Sequence, residues 1–310
     1  MYSPEKPFKE QILALVKQTW ETPFVSIQNG AIKRRFDYPE IDHTDGIGTK
    51  GYYHWQKQTW KNAVLDSLAM NLNDLSTYRA RAYKLQNHIL IPEEDERLLA
   101  IIKLLSEECK KRNIAISGGE CAFHNDIPGL EISTTISGFI KKVKTNKPKV
   151  NDIIGIKSNG LHSNGFTKVR KVFGKKILPE FTEPTLIYAD MLLELDERFD
   201  IHQMVHITGG AYTRLRNLLP NADVQITKEH SLVPQNIFKE LYKKGIQDEE
   251  MYTTFNCGVG FMLFVEKKDT NKIIQEINQQ GFQGDIIGEL IAGAGKVKIE
   301  SMFSKKTLIL

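Results

Sequence analysis

The chain has 310 residues, 41% of them hydrophobic and 26% charged, with a formal net charge of +4. That length suffices for two domains, each with its own core. The mild charge sits on lysines that form no stripe, which suits an anionic small molecule better than a nucleic acid. No apolar run approaches a membrane span or forms a signal peptide, and Cys109, Cys121 and Cys257 show no paired spacing. A reduced, cytoplasmic compartment is the expectation.

Phe8, Ile12, Leu15, Val16 and Trp20 recur at helical spacing, so an amphipathic helix is predicted over residues 6–20. Residues 21–35 read as irregular. A short extended run, 38–42, then feeds HisThrAspGlyIleGlyThrLys at 43–50. A helix is predicted over 59–72, with Val64, Leu68 and Leu72 on one side, running into Asn73-Asp74. Pro92 and the acids Glu93, Glu94 and Asp95 open a third helix that closes near Lys110, Lys111 and Arg112; acids first and bases last match the helix dipole. Residues 114–117 form a short strand delivering Gly118-Gly119-Glu120 at its end, and Glu131–Ile140, rich in Ile and Thr, is a longer one. Residues 141–149 read as a solvated linker. The boundary falls there, giving domains over 1–145 and 146–310.

Asp152–Lys157 is a predicted strand, 158–165 a polar glycine loop and Phe166–Phe173 a helix. Glu183-Pro184 is predicted to open a helix through Leu195, with proline in its favoured first turn. A strand over 203–208 ends in Gly209-Gly210. Helices follow at 212–218 and 234–244, a strand at Val259–Val265, a helix at Thr270–Gln279, and strands at 285–290 and 296–299. Strands alternating with helices in both halves predict an α/β class with mixed β-sheets covered by helices. Cys257, a small thiol beside glycines, is assigned to packing.

Five predicted strand-to-turn junctions share one composition: Thr44-Asp45-Gly46, Asn73-Asp74, Gly118-Gly119-Glu120, 158–165 and Thr208-Gly209-Gly210. Rigid strand ends hold side chains while glycine turns admit ligand. Asp45, Asp74 and Glu120 form a candidate Mg²⁺ cage, since a hard cation takes oxygen ligands and bridges to phosphates. Glycines let backbone N–H groups approach phosphate oxygens, and Lys50 adds positive charge.

The motifs ThrAspGlyIleGlyThrLys at 44–50, AlaMetAsnLeuAsnAsp at 69–74, GlyGlyGlu at 118–120, GlyLeuHisSerAsnGlyPhe at 160–166, HisIleThrGlyGly at 206–210 and the PheAsnCysGlyValGly stretch at 255–260 resemble the phosphoribosylformylglycinamidine cyclo-ligase family of purine biosynthesis. Selenophosphate synthetase and thiamine-monophosphate kinase share its superfamily. The resemblance implies a two-domain synthetase fold whose amino-terminal sheets pair in a homodimer, with ATP and Mg²⁺ as cofactors, a small ribonucleotide as substrate, and neither nucleic acid nor membrane as partner. It implies catalytic roles for Asp45, Asp74, His162 and His206, and metal ligation by Asp45, Asp74 and Glu120. ATP phosphates would meet Gly46, Gly48, Thr49, Lys50, Asn73, Gly118 and Gly119. The ribonucleotide would meet Ser163, Asn164, Thr208, Gly209 and Gly210.

The implied reaction is ATP-dependent ring closure of formylglycinamidine ribonucleotide through a phosphorylated amide. A divergent ATP-dependent relative acting on another small acceptor and a non-catalytic nucleotide-binding paralogue are the alternatives. The chain departs from the family pattern at 25–35, with a single glycine, at Arg79-Ala80-Arg81-Ala82, at 121–127, and at Ala211-Tyr212-Thr213-Arg214.

Overall fold

The computed structural model describes residues 8–143, 152–217 and 221–310. The chain divides after Lys142 into two compact units. The linker read over 141–149 lies outside the described residues from 144 onward, as does the expected 145/146 boundary.

In the first unit the order is α1 (Lys9–Lys17), β1 (Val25–Gln28), β2 (Ala31–Arg34), β3 (Glu40–Gly46), α2 (Gly51–Lys57), α3 (Trp60–Thr77), β4 (Ala80–Ile91), α4 (Arg97–Lys111), β5 (Ala115–Phe123) and β6 (Glu131–Ile140). Strands β3-β6-β4-β5 form a four-stranded sheet in that order, with β4 parallel to β5 and the other pairs antiparallel. Side-chain alternation sorts its two faces. Leu85, Asn87, Ile89 and Ile91 of β4 and Ile132, Thr134 and Ile136 of β6 are buried on the helix-covered face. Gln86 and His88 are exposed on the other.

Residues 21–35 are not irregular. β1 and β2 form an antiparallel hairpin turning at Asn29-Gly30, both at positive φ (50° and 77°), the turn chemistry that Asn-Gly favours. The hairpin's core, Val25 and Ile27, packs with Tyr83, Ala115 and Phe139. Phe36 stacks on Phe139 at 4.4 Å between centroids, and Trp20 donates its indole N–H to the Ile116 carbonyl at 2.9 Å.

Helix α3 runs past Leu72 to Thr77 and is buried nearly all round, its Asp66, Ser67, Asn71 and Asn73 lying as deep as Val64 and Leu68. Polar groups survive there when each is hydrogen-bonded. Asn71 shows how: its Nδ2 donates to Asp45 O and Ser67 O, both at 3.2 Å, and to Thr134 Oγ1 at 2.9 Å.

The second unit runs β7 (Asp152–Lys157), α5 (Phe166–Phe173), α6 (Ala189–Arg198), β8 (Ile201–His206), β9 (Ala222–Ile226), α7 (Asn236–Lys243), α8 (Asp248–Thr254), β10 (Val259–Val265), α9 (Thr270–Gln279), β11 (Gly284–Ala292), β12 (Val297–Glu300) and β13 (Thr307–Ile309). Its seven-stranded sheet has the order β13-β12-β9-β11-β7-β10-β8, antiparallel except between β9 and β12. The mixed α/β class read from the alternation of elements is the one observed. Strands β7 and β10 lie inside the sheet, and their near-continuous apolar sequences, DIIGIK and VGFMLFV, fit burial on both faces.

Helix α6 starts at Ala189, five residues after Pro184, and not at Glu183-Pro184. The segment before it is held extended over the 158–165 loop. Asn159 Nδ2 donates to Pro184 O at 2.8 Å, Ser163 Oγ meets Thr185 Oγ1 at 3.1 Å, and Tyr188 Oη donates to Lys157 O at 2.9 Å. Side-chain bonds to the chain here replace the first helical turn.

Candidate functional site

The strongest convergence of predicted residues is where β3 ends beside α3. Alternation puts His43 and Asp45 on the helix-covered side of β3, and α3 brings Asn71 and Asp74, three residues apart and so on one helix face. His43 Nδ1 meets Asn71 Oδ1 at 2.8 Å, and His43 Nε2 meets Asp74 Oδ2 at 3.2 Å. Asp45 Oδ1 accepts the Gly46 N–H at 2.7 Å. Donation of the His43 Nε2–H to Asp74 raises the His43 pKa above its ordinary value against the effect of burial, with Asn71, the Asp74 charge and the Asp45 charge adding to it. Asp74 thus holds one side of the imidazole, and the Asp45 charge acts on it from further off. His43 and Asn71 were not among the predicted site residues; the signal was the spacing of His43 and Asp45 on one strand face.

Glu120 does not join them. The motif Gly118-Gly119-Glu120 lies within β5, not at its end, and β5 and β3 are the two edges of the sheet. Three strand spacings separate them, about 14 Å. Glu120 pairs in register with His88, on the exposed face, whereas Asp45 lies in the row of Thr134 and Asn87, on the buried one. Within one chain Glu120 therefore stands apart from Asp45 and Asp74, against the expected cage of all three. Asn73-Asp74 likewise belongs to the last turns of α3, not to a strand-to-turn junction.

Lys50 is the clearest departure from expectation. It is fully buried, with Nζ 2.9 Å from Asp66 Oδ1 and 2.8 Å from Oδ2. Asp66 also accepts from His54 Nε2 at 2.8 Å, and His54 Nδ1 meets Thr59 Oγ1 at 2.8 Å. Burial lowers the His54 pKa, fixing a neutral ring that donates to Asp66 and accepts from Thr59. Lys50 serves the interior of this unit and offers its charge to no phosphate. Asn73 is fully buried as well.

Among the glycines, Gly46 and Gly119 permit close approach of strands. A Cβ on Gly46 would lie 2.6 Å from Ser133 Oγ, and one on Gly119 would lie 2.5 Å from Asn87 O. Gly118 sits beside the β4–β5 register shift. Gly48, at φ +52°, and Thr49 are the exposed members of the 43–50 stretch that remain available to a phosphate.

In the second unit, the predicted residues of the 158–165 loop and the Thr208-Gly209-Gly210 turn come together, because an added Gly209 Cβ would lie 3.7 Å from Asn164 Oδ1. Ser163 and Asn164 are half-buried, Gly209 and Gly210 exposed. Asn164 Nδ2 and Thr208 Oγ1 are buried atoms with no hydrogen-bond partner among the described residues. Orphaned polar atoms at a turn of this kind mark a place where a ligand can bond. Arg214 Nε donates to Gly209 O at 2.9 Å, and Thr213 Oγ1 donates to Gly210 O at 2.6 Å.

The two histidines lie beneath this surface, each 1% exposed. His162, at φ 57°, packs its ring against Gly260 and Tyr188, and His206 stacks on Phe261 at 5.6 Å between centroids. Their expected catalytic contact with substrate is corrected to a supporting position under the loop. A Cβ on Gly260 would lie 2.2 Å from Tyr188 Oη and 2.7 Å from His162 Cε1. Gly260→Ala is expected to cost about 1–3 kcal/mol, the usual range for overpacking, and urea denaturation would measure it. Cys257 is a packing residue, as expected: it is buried, its Sγ donates to Met251 O at 3.4 Å, and burial pushes its pKa well up.

Comparison with known proteins assigns a class first. Residues 36–140 match the N-terminal domain of AIR synthase related proteins, and residues 151–300 match their C-terminal domain. The phosphoribosylformylglycinamidine cyclo-ligase of Methanococcus vannielii is 32% identical over 294 residues, covering 88% of this chain and 83% of that protein. The enzyme of the same name from Clostridium perfringens is 34% identical over 282 residues, covering 84% of each chain. The chain belongs to the phosphoribosylformylglycinamidine cyclo-ligase family. In fold it resembles the hydrogenase maturation protein HypE solved with ATP (TM-score 0.72, 15% identity, 99% of this chain and 95% of that one). It also resembles thiamine-monophosphate kinase from Stenotrophomonas maltophilia (TM-score 0.65, 18% identity, 96% of each).

Proposed function

We propose that this protein is an ATP-dependent ligase that closes the imidazole ring of 5-aminoimidazole ribonucleotide from formylglycinamidine ribonucleotide. The observation that carries the reading is identity of about one third to cyclo-ligases over most of the chain. ATP phosphorylates the formyl oxygen, the neighbouring amidine nitrogen attacks the activated carbon, and phosphate leaves. Phosphoryl transfer of this kind asks the protein for positioning and charge neutralisation more than for covalent chemistry.

Asp45 and Asp74 fit a Mg²⁺ site in which one or two carboxylates, waters and substrate phosphates share the ion. Bound there, the ion would neutralise phosphate charge. His43 orients Asp74 through their hydrogen bond, and Gly48 and Thr49 supply donors beside it. The orphaned Asn164 Nδ2 and Thr208 Oγ1 support the ribonucleotide at the 158–165 loop and Gly209-Gly210 turn.

Phosphate release from ATP, with and without the ribonucleotide, tests the reaction. Turnover is expected to be slow alone and stimulated by the ribonucleotide. Substrate carrying heavy oxygen on the formyl carbon should pass that label into the released phosphate in unlabelled water; label-free phosphate alongside ring closure would exclude the phosphorylated intermediate. The second reading, a different anionic acceptor, is favoured by Arg214, an exposed cation fixed beside Gly209. Stimulation by another acceptor and not by the ribonucleotide would identify it.

A homodimer through the four-stranded sheet belongs to the same proposal. Its terminal strands are β3 and β5, the latter capped by Thr19 and Trp20 at Ile116, and Thr44, Gln86 and His88 are exposed near them with Glu120 half-buried; such edges invite pairing with another chain. Sedimentation is expected to give a dimer, and a monomer that keeps full activity on dilution would contradict it. A cytoplasmic location completes the reading; among the described residues no helix is long and apolar enough to cross a membrane.

A further inference from the structure

We propose a metal site in the second unit, for a divalent transition ion of the zinc type, held by Asp200, His202 and Glu266 where β8 begins. β8 is the last strand of its sheet, and its register with β10 shifts at this point: Ile201 pairs with Val265 and Gln203 with Phe264, leaving His202 as the extra residue of a β-bulge. A bulge re-aims the side chain it inserts. Here the imidazole is only 10% exposed, with Nε2 3.7 Å from Glu266 Oε1 and 4.0 Å from Asp200 Oδ2. Donor atoms of all three residues lie within 4.8 Å of one another, the only such group of His, Cys, Asp and Glu found among the described residues.

The donor set selects the ion. Imidazole suits zinc and its transition-metal neighbours, whereas Mg²⁺ and Ca²⁺ take oxygen alone. Bonds of ordinary length would hold neighbouring donors about 3–3.5 Å apart, so the two His202 contacts need to contract by several tenths of an ångström and the two carboxylates to swing together by up to about 1–2 Å. A fourth position stays open to water, as in other three-ligand zinc sites.

Glu266 is already oriented for this. Lys268 Nζ grips its Oε2 at 2.7 Å, turning Oε1 to His202, and the Glu266 carbonyl accepts the Asp269 N–H at 2.9 Å. Two carboxylates and one ammonium leave a net negative charge for a dication to meet. His206, under the Gly209-Gly210 turn, lies at the far end of β8, four residues or about 13 Å away, so the ion would not sit in the substrate site.

Equilibrium dialysis of the full chain against Zn²⁺, with bound metal counted by atomic emission, tests the site. The wild type is expected to hold one Zn²⁺ per chain more than His202→Gln or Asp200→Asn. Its affinity should exceed theirs by at least about tenfold, a loss that even outer-shell changes produce at metal sites. Asp200 is exposed, so Asp200→Asn reports even where His202→Gln disturbs the strand. Lys268→Met should retain the ion, and Mg²⁺ in excess should not displace it. Equal Zn²⁺ content in the wild type and both ligand variants, or displacement by Mg²⁺ at comparable concentration, would overturn the proposal.

Discussion

Lys50→Met is expected to cost roughly 3–5 kcal/mol of stability, the usual loss when one partner of a buried ion pair is removed. The physical reason is what remains. Asp66 is fully buried, and without the ammonium 2.8 Å away its carboxylate keeps the His54 contact but loses its cationic partner. Burial by itself would raise the Asp66 carboxyl; Lys50 and His54 outweigh it and hold the group well below the carboxylate range. A depressed pKa contributes stability above the unfolded value, near 4, and loses it as pH falls towards the folded one. Without Lys50, burial raises the Asp66 carboxyl above its unfolded value, so the variant loses further stability as pH rises past about 4; the gap between wild type and Lys50→Met should therefore be widest at neutral pH and above and narrow steadily as the solution turns acid. Urea denaturation at two pH values measures both; a variant within about 0.5 kcal/mol of wild type, the scatter of ordinary surface changes, would mean that the triad is not what fixes α2 to α3.

That expectation inverts the one drawn from the motif. A lysine closing an Asp-Gly-x-Gly-Thr-Lys run reads as a phosphate ligand because the run is local, while its partner Asp66 lies a helix later, and nothing in the spacing of Lys50, His54 and Asp66 says that they meet inside. Strands and helices bounded by clear periodicity were legible to the residue: Glu131–Ile140, Asp152–Lys157, Phe166–Phe173, Val259–Val265 and Thr270–Gln279. β4 was not, because Arg81, Lys84, Gln86 and His88 break its apolar character and a bulge at Tyr83 interrupts its alternation. The Asn29-Gly30 turn was visible as a dipeptide, but its strands are only four residues each, and the second, exposed throughout, does not alternate.

The acids of the site were legible as residue types and not as a group. Glu120 shares a motif style with Asp45, yet strand order separates them, and strand order is a property of pairing across the whole unit. Only Asp45 and Asp74 lie on neighbouring elements, a strand and a helix whose contact is stabilised through Asn71.

The largest effect on activity is expected from that pair. Asp45→Asn and Asp74→Asn should each lower ring closure by at least about a hundredfold, since charge stabilisation by a catalytic metal contributes several kcal/mol and each 1.36 kcal/mol is a factor of ten. Stability should hardly move. An asparagine at 74 keeps an oxygen to accept from His43, and one at 45 keeps an oxygen for the Gly46 N–H, so the local hydrogen bonds survive while the negative charge goes. The His43–Asp74 contact is partly exposed on the histidine side, where an ion pair contributes about 1 kcal/mol or less. The diagnostic result is thus a split: unchanged denaturation midpoints with phosphate release and ring closure both lost, and a higher Mg²⁺ concentration partly restoring them. If both variants close the ring at the wild-type rate, Asp45 and Asp74 hold no cation that the reaction needs, and the His43–Asp74 bond is a structural feature of the β3–α3 contact.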